Sequence, residues 1–200
     1  MTKMDRKEYF RLRSRLEELR RISTTEAVEP AAGVVFLDGE LAKASNPLDR
    51  FALYQLIFHE YAVAERFDKE IDAMRKAIVE FPNEPVPWIS LAARLSYDQD
   101  TVKEARQVAE KGLEIAIRNN RFVRYALCTR ARIAVRIGDY PLLEETVLRL
   151  IEDASKIRTE DSGFEIDFLD SVVDDAIGRQ IRDHYLDIAQ TARAQGQPQS

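Results

Sequence analysis

The chain is short of several things, and each shortage excludes a class of protein. One cysteine, Cys128, among 200 residues cannot close an internal bridge, which rules out a disulfide scaffold and fits a reducing compartment. Seven glycines and seven prolines are too few for collagen or for long irregular stretches. A composition 45% hydrophobic and 32% charged belongs to a folded globule rather than a disordered chain. The longest apolar run, Ala31 to Leu37, is far too short to span a bilayer, so no membrane association is expected. The opening Met1-Thr2-Lys3-Met4-Asp5-Arg6-Lys7 is charged with no apolar segment behind it, the pattern of a chain without a secretory signal, and a cytoplasmic location is expected. At roughly 100–200 residues per domain, the length allows one domain or one continuous solenoid.

What is present is helical periodicity. Apolar residues recur at Phe51, Tyr54, Ile57, Phe58 and Tyr61, then at Phe67, Ile71, Met74, Ala77, Ile78 and Phe81, in steps of three and four that put them on one face of each of two helices. Asn46-Pro47 is a start signal, with Asn46 as cap and Pro47 where its missing N–H costs nothing. Pro82, Pro85 and Pro87 close this pair and open the next, whose face is Trp88, Leu91, Ala92 and Leu95. Asp98-Gln99-Asp100 breaks it, and Thr101 with Glu104 reads as a capping box for a helix to about Arg118. Asn119-Asn120 breaks again. A helix over 121–137 ends at Gly138, suited to a left-handed C-terminal position, and Pro141 opens another to about Ile157. Residues 3–22 predict a charged helix with the seam Tyr9, Leu12, Leu16 and Leu19. Residues 23–46 read as a connector with a short helix after Asp38-Gly39. Residues 164–178 and 180–194 predict a last pair, followed by a tail at 196–200. No stretch alternates with period two, so the expected fold is all-α.

Tyr54 and Trp88 lie 34 residues apart, each in the first helix of a pair, while Arg66-Phe67-Asp68 and Gly138-Asp139-Tyr140 occupy turns between paired helices. These residues resemble the tetratricopeptide repeat, a 34-residue helix–turn–helix. The match is best over Phe51 to Glu84, through Tyr54, Ile57, Tyr61, Phe67, Met74, Ala77 and Pro82, with Phe58 and Glu70 standing where the family has small residues. Pro85 to Asn119 and Arg124 to Ile157 keep fewer marks. The resemblance implies a short right-handed solenoid: a basic N-terminal helix and connector (1–46), three hairpins (47–158), an acidic capping hairpin (159–195) and the tail. Each hairpin buries only part of its apolar face, and stacking completes the core.

Catalytic signatures are missing. No Gly-rich loop has phosphate-cradling spacing, and no helix carries two His one turn apart. His59 and His184 fall on separate predicted helices, and nothing activates Cys128 as a nucleophile; a small buried or groove-lining cysteine is the plainer reading. Seven acids and no base lie between Thr159 and Gly178. Asp167, Asp170 and Asp174 share a helical face there, yet no turn adds carbonyl ligands, and a solvated acidic face is expected. The chain is therefore expected to be no enzyme and to hold no metal or cofactor.

Positive charge is clustered as well. Residues 1–22 carry eight basic residues against four acidic ones, and residues 121–138 carry Arg121, Arg124, Arg130, Arg132 and Arg136 with no acid. Arginine is suited to bidentate capture of carboxylate or phosphate. In the family resembled, first helices line a concave surface, which implies inward positions for Gln55, His59 and Val63, for Ile89, Ala93 and Tyr97, and for Tyr125, Cys128, Arg132 and Arg136. The expected function is an adaptor or scaffold that binds a partner peptide or helix bearing an acidic element. Its contacts would be Tyr97, Tyr125, Arg132 and Arg136, with Gln55 and His59 in lesser roles. The family's carboxylate clamp has only Arg132 and Arg136 as partial counterparts, so no chaperone-tail ligand is implied. The alternative is a nucleic-acid-associated regulator using Arg11, Arg13, Arg15, Arg20 and Arg21, against which stands a pI of about 5.3; an enzyme with an unrecognised site comes third. The acidic segment 160–175 is also a candidate to pair with the basic arm or the arginine-rich helix, within one chain or across a homodimer.

Overall fold

Periodicity of 3.6 with Pro, Asn and Gly punctuation leaves only helices and tight turns, and that is what forms. The computed structural model describes residues 6–26 and 32–156. Among them lie α1 (Arg6–Glu26), α2 (Ala32–Lys43), α3 (Pro47–Val63), α4 (Phe67–Glu80), α5 (Pro85–Leu95), α6 (Val102–Asn119), α7 (Val123–Ile137) and α8 (Tyr140–Lys156), with no strand. The acidic pair and tail expected beyond 158 lie outside the described residues. The chain divides into two compact units, one up to Asn83 and one from Glu84 onward, so the basic helix and the connector belong with the first hairpin.

In the first unit each helix packs on its sequence neighbour. Leu12 and Leu16 of the α1 seam are buried, as are Val34 and Leu37 of α2. The connector differs from the sequence reading: α1 continues to Glu26, and α2 begins at Ala32 instead of after Gly39. Burial of Val34 and Leu37 overrides the poor helix propensity of Gly39, which sits exposed in the helix interior. Ion pairs between helices add to this packing. Glu60 on α3, 5% exposed at its side chain, pairs with Arg20 on α1. A Cβ at Gly33 on α2 would lie 2.6 Å from Glu60 Oε2, so a side chain there would have to displace this ion-paired carboxylate. Arg50 on α3 pairs with Glu80 on α4 and donates from Nη1 to the carbonyls of Leu41 (2.7 Å) and Ala44 (3.1 Å), which the end of α2 leaves without helical partners. Tyr54 donates to Glu80 Oε2 at 3.2 Å, and its ring meets Phe81 edge-on, closing the hairpin. Asn46 accepts from the Leu48 amide at 2.9 Å, the cap expected of it.

In the second unit α5, α6, α7 and α8 again pack in sequence order, and α5 also meets α7. One buried cluster joins Ile89, Leu113, Ala116, Ala126, Leu127 and Leu150; a second joins Ala131, Ala134, Leu142, Leu143 and Val147. The pairing of Ala134 with Leu143 and of Leu127 with Leu150 makes α7 and α8 antiparallel. Gly138 at φ 68° forms the left-handed end of α7, and Asp139 caps α8 by accepting from the Leu142 amide at 3.1 Å.

Two sequence expectations change here. Thr101 forms no capping box: its hydroxyl donates instead to the carbonyl of Leu95 (2.6 Å) at the end of α5. The hairpins repeat at 38 residues, not 34, since their first helices start at Pro47, Pro85 and Val123. Tyr54 is thus the eighth residue of α3, in its second turn, while Trp88 is the fourth residue of α5, in its first. A slip of four residues is close to one helical turn and keeps the same face inward, so the apolar pattern tolerates either register.

Candidate functional site

The end of α5 has no glycine to absorb its last carbonyls, and side chains do so instead. The Ser96 hydroxyl donates to Ala93 O (2.7 Å), Thr101 to Leu95 O (2.6 Å), and Arg136 Nη1, reaching across from the last turn of α7, to Ser96 O (3.0 Å). A cation near the negative end of a helix dipole is favourably placed. This bond sets the Arg136 guanidinium 4.6 Å from the ring centre of Tyr97, and Arg94, one turn earlier on α5, lies 5.4 Å from the same ring. Tyr97 is 59% exposed, so two cations gather at an aromatic ring that reaches solvent.

The two helices that carry these groups have charge of one sign only. Neither α5 nor α7 contains a single acidic residue, whereas the acids of this unit's helices sit on α6 and α8, among them Glu110, Glu114, Glu144 and Glu145. Tyr125, Cys128, Arg132 and Arg136 follow one another on α7 at steps of three and four, hence on one side of that helix. Tyr125 is 45% exposed on its first turn, about 16 Å along the axis from Arg136 at 1.5 Å per residue. Asp98 and Asp100 border the cluster, with Asp98 Oδ1 accepting from the Asp100 amide, while Asp139 is engaged by Arg106 at 3.0 Å.

Of the sequence-predicted site residues, Tyr97 and Arg136 are in direct contact, and Arg132 and Tyr125 share the α7 face. Gln55 and His59 are exposed on α3 of the other unit, as is Val63. Ile89 lines no surface: it is wholly buried in the α5–α6–α7 core. Cys128 is half-buried against that cluster. Arg94 was missed although its spacing of three from Tyr97 marks a helical neighbour. Phe122 was missed as well; it is 45% exposed beneath the Arg121 guanidinium and holds φ at 61°, a left-handed backbone no sequence rule assigns to phenylalanine.

Arg130 corrects the idea of a uniformly cationic α7. Its side chain is only 9% exposed and ties three helices together. Nε donates to Glu110 Oε1 on α6 (2.7 Å); Nη1 donates to Thr146 Oγ1 (2.7 Å) and, with Nη2, to the Glu145 carboxylate on α8 (3.1 and 3.2 Å). Burial alone would weaken its hold on the proton, but the hydrogen bonds to Glu145 and Glu110 more than offset this and keep it above the ordinary arginine value.

The basic arm is likewise partly neutralised. Arg11 pairs with Glu8 and Glu40, Arg15 with Glu18, and Arg20 with buried Glu60. Arg13 is exposed, and the side chain of Arg21 lies outside the described residues. Among the described residues no three His, Cys, Asp or Glu side chains gather as a metal site, and no helix is long and apolar enough to cross a membrane. No known family model matches the chain, and no curated protein matches it.

Proposed function

We propose that the chain is a cytoplasmic helical-hairpin adaptor, similar in plan to tetratricopeptide proteins, that binds a partner peptide or helix bearing an acidic element. The observation that carries this reading is that α5 and α7 hold no acidic residue and that the guanidinium groups of Arg94 and Arg136 both lie over the ring of exposed Tyr97. Tyrosine and arginine are the side chains that most often dominate interface energies, and a guanidinium already ordered on a ring loses less entropy when a carboxylate arrives. Order of packing supports the hairpin plan: within each unit every helix meets its sequence neighbour, and in the second unit the first helices α5 and α7 meet each other. Catalysis forms no part of the proposal. Nucleic-acid binding by the basic arm is the weaker reading, because Arg11, Arg15 and Arg20 already face carboxylates of the same unit.

The test is fluorescence anisotropy with a fluorescein-labelled peptide of alternating Glu-Glu-Leu triplets. Binding is expected to weaken at least tenfold in an Arg132→Glu/Arg136→Glu chain and several-fold in Tyr97→Ala, and to fall steeply between 50 and 300 mM NaCl. Equal affinity of wild type and the double variant would sink the assignment.

A further inference from the structure

We infer that the exposed side of α7 selects a helical partner by spacing, one that carries a large apolar side chain and a carboxylate about eleven residues, or three turns, apart on one side. The inference deepens the proposed function and rests on it: it states which acidic partner this face would accept.

One end of the face is apolar. Among the described residues of the second unit, the exposed large apolar side chains are Tyr97, Ile117, Phe122, Tyr125 and Leu148, and Ile117, Phe122 and Tyr125 lie in or beside the turn from α6 to α7. Phe122 keeps its exposed place at φ 61°, a backbone that glycine takes freely and a bulky residue does not.

The other end is a cation. Arg136 stands eleven residues beyond Tyr125, on the same side of α7 and about 16 Å along its axis. Among the described residues its partners are uncharged: the carbonyl of Ser96 at 3.0 Å and the ring of Tyr97. The other arginines of α5, α7 and the turn before α7 are committed elsewhere. Arg121 faces Glu84 at 3.7 Å, Arg130 is clamped by Glu110 and Glu145, and Arg94, Arg124 and Arg132 have interactions of their own. Because Nη1 makes the bond to Ser96, the edge of Nε and Nη2 keeps the parallel pair of N–H donors that a carboxylate takes. Cys128 and Arg132, between the two ends, are only half exposed.

Helical form follows from what the face lacks. Neither α5 nor α7 contains Asp, Glu, Asn or Gln, so the amides of an extended peptide would meet no carboxylate or amide side chain there. A helix bonds its own backbone, and it sets residues eleven apart within about 20° of one another, over the same 16 Å or so.

The test uses fluorescein-labelled alanine–glutamine helices of about 20 residues, each with one phenylalanine and one glutamate on the same side. The two are separated by roughly four, seven, eleven or fourteen residues, in either order along the peptide. Anisotropy with the full chain is expected to show, in one of the two orders, affinity at eleven at least fivefold above the other spacings. Arg136→Gln is expected to flatten that profile. Phe122→Gly and Tyr125→Ser are each expected to weaken the eleven-spaced peptide at least fivefold, and Phe122→Gly to do so without lowering the urea midpoint, since glycine accepts φ 61°. Equal affinity at every spacing in both orders overturns the inference, as does unchanged affinity in both aromatic variants. Binding of the Glu-Glu-Leu peptide with none of the spaced helices bound overturns the inference and leaves the adaptor reading standing. No binding of either kind of peptide overturns the adaptor reading, and the inference with it.

Discussion

Replacing Arg130 by alanine is expected to cost the second unit about 2–3 kcal/mol, and replacing it by methionine less than about 1. The magnitude depends on which groups are left behind. Removing one member of a buried ion pair costs about 3–5 kcal/mol when the partner is stranded without water. Here the partners are not stranded: the side chains of Glu110 and Glu145 are 43% and 62% exposed and regain hydration once the guanidinium is gone. Thr146, wholly buried, keeps its own donation to Leu142 O at 2.6 Å. What alanine loses is chiefly the packed stem among α6, α7 and α8, because the hydrogen bonds of the guanidinium are largely offset by the cost of burying its charge. Methionine restores most of that volume. The lone tryptophan, Trp88, belongs to the same unit, so its fluorescence during urea unfolding reports this unit. With a slope of about 2 kcal/mol per molar urea, the alanine midpoint should fall by about 1 M and the methionine midpoint by less than half of that. A methionine variant as unstable as the alanine one would show that the ion network, not the packed stem, holds these helices together.

Further outcomes follow from the first unit. Gly39 sits exposed inside α2, and a methyl group added there would have nothing within 4 Å, so Gly39→Ala should stabilise by about 0.5–1 kcal/mol. Gly33→Ala, with the same gain in propensity, pushes its Cβ onto Glu60 Oε2 and should be net destabilising by about 1–2 kcal/mol; equal effects in urea unfolding would disprove the close approach. The hydrogen bond from Arg50, helped by Tyr54, holds the Glu80 carboxyl below its ordinary 4.5, outweighing the opposing effect of burial. A depressed folded value adds stability that is present above 4.5 and lost as pH falls through the lower folded value. Glu80→Gln should therefore be less stable than wild type by about 1 kcal/mol at pH 7, with the two curves converging in circular dichroism as pH falls well below 4.5; a gap that never narrows contradicts the ion pair.

How far the sequence could be read varies by element for physical reasons. Asn46-Pro47, Asp98-Gln99-Asp100, Asn119-Asn120 and Gly138 act through their own backbones or through side-chain bonds to amides two residues on, and each ends or starts a helix where expected. Thr101 misled because its hydroxyl turns to donate to the orphan carbonyl of Leu95, and in that position its oxygen accepts from no amide of the first turn of α6. The site was half legible. Tyr97 and Arg136 were named, but their contact spans 39 residues of sequence and depends on where α5 and α7 cross. Arg94 follows from spacing; Phe122 does not.

The sequence alone determined that the chain is helical, where most helices begin and end, and which sides of them are apolar, because those properties come from residues within one or two turns of each other. Only the tertiary structure decided that the repeat is 38 residues, that Gly39 lies inside a helix, that Ile89 is core, and that Arg130 is buried while Arg136 is presented beside Tyr97. An arginine two turns away from another on the same helix is chemically identical to it; what separates a structural clamp from a binding contact is which neighbouring helix brings its carboxylates, or its aromatic ring, within reach.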